Sequence, residues 1–241
     1  MSATKTINIA VTGNAPFMEY DFNTSALVRD ALPDVIERPN GRENITIRIR
    51  KFQRDTRDTY EDVRRVSHDI WGGSAALFSD AKTDDSRIDI DFIVHFGMIA
   101  LGWDPNQFRF ETVARRDGYS LPGDDGKLVD SAELEKLGLP ATLTTCLDVE
   151  GAWRQVQAKF PNVKTSVSDD AGLYFCEFRL YSSLAEAILT KEFHSKKGHT
   201  TFLHLPQAHD PDAIGQARDI AVAYIAGLVD GFVSRKGEVK G

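Results

Sequence analysis

Residues 88–97 read IDIDFIVHFG, a run that turns mainly apolar in its second half, with His95 as the polar exception, and closes on glycine. It is too short for a helix and ends on a turn residue, the pattern of a strand buried on both faces. Upstream, Ile7–Val11 (INIAV) is a second such run, closing on Thr12-Gly13. Residues from about Thr24 to Leu32 read as a helix stopped by Pro33. Ile45–Ile49 (ITIRI) alternates with period two, as in a half-buried or edge strand, and Asp58–Trp71 places Tyr60, Val63, Val66 and Ile70 at helical spacing before Gly72-Gly73. Downstream, Leu173–Leu189 is helical and Thr200–Leu205 (TTFLHL) is a strand ended by Pro206. Asp210-Pro211 then reads as an N-cap followed by an N1 proline. The helix it opens carries Ile214, Ala217, Ala221, Tyr224, Ile225 and Leu228 on one face.

Between these halves lie about 45 residues rich in Gly, Pro and Asp, a length that points to a functional or hairpin-forming segment. Ala141–Thr145 and Val163–Ser166 are further candidate strands around a helix near Val149–Phe160. Strand–helix alternation of this kind predicts an α/β/α sandwich with one mainly parallel, twisted sheet and helices on both faces. The 241 residues are expected to form a single domain with a flexible tail from about residue 235. Ligands of such sheets bind beyond the carboxyl ends of the strands. Chemistry is therefore expected at residues 13–22, at 97–121, in the turn before Cys176, and at 204–209.

Composition narrows the function classes. With 29 Lys+Arg against 36 Asp+Glu the net charge is −7, which argues against a nucleic-acid partner. No run approaches the roughly 18 apolar residues of a membrane span, and the first strand pattern begins without a signal-peptide core. A cytoplasmic protein without a membrane partner is the expectation. Two cysteines, Cys146 and Cys176, are too few for a disulfide framework or a four-thiolate metal site.

Cys176 falls near the start of the helix that follows Ala171-Gly172, where the helix terminus favours thiolate. Position alone leaves it two readings, a reactive thiol or a small apolar residue on a buried helix face. Cys146, at the end of an apolar run, reads as a core cysteine. Of the six histidines, His204 is best placed to serve as base, at a strand end on the same sheet edge as Cys176. His95 reads as a hydrogen-bonded core residue, and His68, His194 and His199 as solvated. His204 and His209 lie on no common helix and lack an acidic partner pattern, so no metal is expected. Glu111, in FRFETVAR, sits on a short alternating run that can hold a carboxylate toward the sheet edge. The turn TGNAPF has neither GxGxxG nor Lys-Ser/Thr, so no nucleotide cofactor is expected.

Four blocks in order resemble the pyroglutamyl peptidase type I family of cysteine peptidases. VTGNAPFMEYDFNTS resembles the family's opening turn, FETVARRDGYSLPGDDG its glutamate block, SDDAGLYFCEFRLYSSL its nucleophile block and TTFLHLPQ its histidine block. The resemblance implies Cys176 as nucleophile, His204 as general base and acid, and Glu111 as the carboxylate that orients the imidazole. It implies substrate contacts from Asn14, Phe17, Met98, Leu121, Tyr174 and Phe175, a peptide or small lactam or amide substrate, an acyl-enzyme, and self-association.

The departures fall on the pocket. Asn14 stands where the family has the first ring-packing aromatic, Met18-Glu19 where it has Gly-Gly, and Met98 where it has a polar residue for the lactam. Ser120 replaces the arginine before the I-P-D turn and Glu177 the asparagine after the cysteine, and IALGWDPNQF is longer than its counterpart. Three functions follow from the sequence: a pyroglutamyl peptidase with a divergent pocket, a related cysteine hydrolase or acyl transferase acting on another lactam, amide or ester, and a non-catalytic binding protein.

Overall fold

The computed structural model describes residues 5–17, 19–36, 45–79, 87–99 and 102–238, with the backbone alone for 236–238. The elements in chain order are β1 (Lys5–Thr12), α1 (Thr24–Ala31), β2 (Val35–Ile36), β3 (Ile45–Lys51), α2 (Tyr60–Gly72), β4 (Phe92–Met98), β5 (Phe108–Glu111), β6 (Val113–Arg115), α3 (Ser131–Lys136), β7 (Thr142–Thr144), α4 (Val149–Lys159), β8 (Thr165–Ser168), α5 (Phe175–Leu189), β9 (Thr200–Leu205) and α6 (Pro211–Glu238). Seven strands form one sheet in the order β2-β3-β1-β4-β9-β5-β8. The β3-β1-β4-β9 run is parallel, as is the β5/β8 pair, while β5 runs antiparallel to β9 and β2 to β3. The sheet is thus mainly parallel, with helices on both faces.

Alternation along the strands decides what each face receives. Ile7, Ile9 and Val11 of β1, Phe92, Val94 and Phe96 of β4, and Leu203 and Leu205 of β9 pack with α1, α4 and α6. Ala10, Ile93 and Phe202 point the other way, into apolar groups built with α2 and α5. On β5, Phe108 and Phe110 belong to the first face. The same period-two rule then puts Gly97, Arg109, Glu111 and His204 on the second face, the side covered by α5.

Some elements differ from expectation. The strand expected from Ile88 begins at Phe92, because the Asp91 carboxylate accepts the Asn8 N–H (3.0 Å) before the ladder starts. The short strand β2 covers β3, which is therefore not the sheet edge. β7 pairs with β6 in a separate two-stranded antiparallel ribbon, which its polar, partly exposed residues allow. The irregular segment after β4 contributes β5, β6 and α3. Helix α6 continues to Glu238, so the tail expected to be flexible from about residue 235 is helical there, and 239–241 lie outside the described residues. Asp210 does cap α6, its Oδ1 accepting the N–H groups of Asp212 and Ala213. Among the described residues no helix is long and apolar enough to cross a membrane.

Candidate active site

The turn into α5 is built to present Cys176. Gly172 (φ 96°) and Leu173 (φ 49°) both take the left-handed conformation, which a leucine adopts only at a cost of about 1–2 kcal/mol. The Leu173 N–H is fixed by Oε2 of Glu177 (2.9 Å), one turn into the helix. Glu177 is itself buried and gripped by Arg115, whose Nε and Nη2 donate to its two oxygens at 2.6 and 2.7 Å. Tyr174, the extended residue before the helix, supplies no side-chain cap. Cys176 follows as the second helical residue, half-buried.

Opposite it, His204 occupies β9 between Gly97 of β4 and Arg109 of β5. Its Nδ1 lies 3.0 Å from Oε1 of Glu111, two residues further along β5 and fully buried. Arg109 Nε donates to the same oxygen (3.1 Å), while Oε2 of Glu111 has no partner among the described residues. Trp103 covers the pair, its ring 4.0 Å beneath the Arg109 guanidinium and edge-on to His204 at 5.2 Å. Burial opposes charge on His204, but the neighbouring Cys176 sulfur and the Glu111 carboxylate outweigh it and raise the imidazole to about 9. An imidazolium beside a sulfur is the arrangement that holds a cysteine as thiolate.

Cys176 and His204 face a cavity of about 280 Å³. Phe17, Met98 and Tyr174 give it apolar walls, and Asn14 and Asp58 bring polar groups. Beneath these two lies Arg179, fully buried, with Nη1 donating to Asn14 Oδ1 (2.8 Å) and Nη2 near Asp58 Oδ1 (3.4 Å). Burial pushes the Asp58 carboxyl up to about 6 even with Arg179 beside it.

The chain is similar to known proteins over most of its length. No family model matches the chain. Over 232 residues it is 20% identical to pyroglutamyl-peptidase 1 of Mus musculus, covering 92% of this chain and 91% of the relative. The Homo sapiens protein of the same name is 20% identical over 219 residues, covering 87% and 85%. The solved pyrrolidone carboxyl peptidase from Thermococcus litoralis shares the fold with a TM-score of 0.65 at 13% identity, covering 95% of this chain and 96% of that one. That from Pyrococcus furiosus gives 0.62 at 17%, covering 93% and 97%.

The chain resembles the pyroglutamyl peptidases along most of its length.

Among the residues the family resemblance singles out, the structure gathers Asn14, Phe17, Met98, Tyr174, Cys176 and His204 around one cavity, with Glu111 behind His204. Two do not face it. Leu121 is 44% exposed and uses its carbonyl to accept the Tyr60 hydroxyl, and Phe175 packs into the core 4.5 Å from the Tyr60 ring. Helical geometry turns Phe175 away because its neighbour Cys176 takes the cavity side. Glu111 lies beneath the imidazole rather than at the sheet rim, since β5 runs against β9. Met18 lies outside the described residues.

Sequence reasoning missed Asp58, Arg115, Asp170 and Trp103, all of which line the cavity. A signal existed for Asp58: Arg179 on an otherwise apolar helix face requires a buried acceptor. Trp103 sits in the segment noted as longer than its family counterpart. Cys146 is not a core residue; it is exposed just past β7, where its N–H bonds Gly198 O and its Sγ lies 3.5 Å from Lys197 O. His95 is buried, bridging Thr12 and Ser183 at 2.8 Å each, and His209 stacks on Phe22. No group of three or more metal-ligating side chains occurs among the described residues.

Proposed function

We propose that the chain is a cysteine peptidase that removes N-terminal pyroglutamate from peptides, with Cys176, His204 and Glu111 as its catalytic set. The observation that carries this reading is the Glu111–His204 contact of 3.0 Å behind an imidazole that shares a cavity with Cys176. Glu111 accepting at Nδ1 directs the other ring nitrogen toward the cavity. The Cys176 thiolate attacks the carbonyl carbon of the pyroglutamyl amide, and the C=O π pair moves onto oxygen. The C–N bond then breaks as His204 gives its proton to the departing amine. His204 next takes a proton from water, whose oxygen attacks the thioester carbon and releases pyroglutamate and Cys176.

The oxyanion requires N–H donors, and two of those in the turn after β1 are committed. Asn14 N–H bonds Ser25 Oγ (2.9 Å) and Ala15 N–H bonds Thr56 O (3.0 Å). This supports the uncapped first turn of α5 as the donor, at the positive end of the helix dipole.

Release of a fluorogenic amine from a pyroglutamyl amide tests the reading, with Cys176→Ala as control. Turnover that vanishes in the variant supports it. Absence of turnover together with stoichiometric, rapid alkylation of Cys176 rejects the pyroglutamyl substrate and leaves a reactive cysteine in search of another amide or ester.

A further inference from the structure

The pocket has lost an aromatic at Asn14, yet the residues around that position are arranged with more polar order than a vacated wall requires. Arg179 is a donor at every nitrogen, so the atom Asn14 turns toward it must be the amide oxygen. Thr56 Oγ1, whose one proton lies within reach of this oxygen (2.9 Å) and of Gly13 O (3.1 Å), flanks it on the other side. The Asn14 NH2 group is thereby turned away from both, and it makes no hydrogen bond among the described residues. The other terminal nitrogen of the guanidinium holds Oδ1 of Asp58, whose second oxygen makes no hydrogen bond among the described residues either. One buried fork therefore fixes an N–H donor and a carboxylate acceptor side by side on a cavity that also holds Cys176 and His204.

We propose that Asn14 and Asp58 read the edge of a ring amide, Asn14 donating to its carbonyl and Asp58 accepting from its N–H, with Arg179 as the positioning residue for both. A lactam is a cis amide, so its C=O and N–H project from one edge and meet this pair together. Phe17, Met98 and Tyr174 enclose the apolar part of the ring. The acceptor is a carboxylate with a buried cation behind it, so its bond to N–H is of the strong, charge-assisted kind. A prolyl ring, which lacks the carbonyl, leaves the Asn14 NH2 facing a methylene and is rejected. The inference rests on the pyroglutamyl reading above and names the residues that give it specificity.

The test compares two substrates of the full chain: a pyroglutamyl arylamide and its 5-oxotetrahydrofuran-2-carbonyl isostere, in which ring oxygen replaces N–H. The wild type prefers the lactam by about 10- to 100-fold in kcat/KM, mainly through KM. In Asp58→Asn, Arg179 claims the new amide oxygen and turns an NH2 group toward the ring. Donor then meets donor, and the preference collapses to within about twofold or inverts. A second measurement needs no variant: the lactam carboxamide protects wild-type Cys176 from iodoacetamide at concentrations where the lactone carboxamide does not. A preference of wild-type size in Asp58→Asn, or equal protection by both rings, overturns the proposal while leaving the peptidase reading intact. A wild type that neither hydrolyses nor is protected by the lactam rejects both.

Discussion

Gly97 and Cys176 approach so closely across the sheet face that a methyl group on Gly97 would stand 3.0 Å from the cysteine sulfur. The same carbon would lie 2.5 Å from the Phe202 ring. Gly97 pairs with His204 in the ladder, so the glycine leaves a notch beside the imidazole into which the sulfur descends. Gly97→Ala must push Phe202 and Cys176 away from the sheet. We expect kcat/KM for a pyroglutamyl amide to fall by about 100-fold, with the fold retained, as read by steady-state kinetics beside circular dichroism.

His204 gives a pH signature. Its folded value of about 9 lies above the ordinary 6.5, so the native state keeps a proton that the unfolded chain releases between those values. The stability this contributes is fully present below 6.5 and is lost as pH rises through about 9. Activity should lose its general acid on the same alkaline limb. Cys176→Ala removes the strongest positive influence on the ring, so an NMR titration of the His204 ring should move to lower pH in that variant. An unmoved titration contradicts the thiolate–imidazolium pairing.

Glu177 supports the left-handed Leu173 and accepts from Arg115 as well. Glu177→Ala leaves the partly exposed Arg115 guanidinium with Asp170 as its remaining partner and the Leu173 N–H unpaired, and should cost about 1–3 kcal/mol in denaturant unfolding. Cys176 alkylation should slow in parallel because the start of α5 loosens. Glu177→Gln keeps one acceptor oxygen and should recover a large part of both.

The two cysteines invert the usual relation between exposure and reactivity. Cys146 is the more exposed, but partial burial of its sulfur raises the thiol above its ordinary value, against the opposing pull of Arg235. At pH 7 iodoacetamide should label Cys176 at least about tenfold faster, as counted by peptide mass mapping. Faster labelling of Cys146 would deny Cys176 its activation.

Periodicity made β4, β9 and α5 legible, because their apolar residues repeat at periods only a strand or a helix can satisfy. The blocks around Glu111, Cys176 and His204 then marked the proposed catalytic set. What stayed hidden depends on contacts distant in sequence. Asp58 and Arg179 are 121 residues apart, and each alone resembles an ordinary solvated charge. The direction of β5 was equally invisible, since a strand's side-chain alternation is the same whichever way it runs. Cys146 misled because the apolar run before it belongs to a peripheral ribbon rather than to the central sheet. Leu121 and Phe175 were placed by alignment with motif positions, which fixes a residue along the chain but not the direction of its side chain.

Trp103 touches three parts of the site at once: the Arg109 cation, the edge of His204, and Gly172, where an added carbon would lie 2.8 Å from the indole. An indole stacked on a guanidinium and abutting a titrating imidazole is a built-in optical probe. Its emission should quench or recover with the charge on His204 and with the arrival of a ligand beside it. The chain's other two tryptophans lie elsewhere, Trp71 bonded to Ser183 and Trp153 to Thr165. Occupancy of this site can therefore be followed by light, without a labelled substrate.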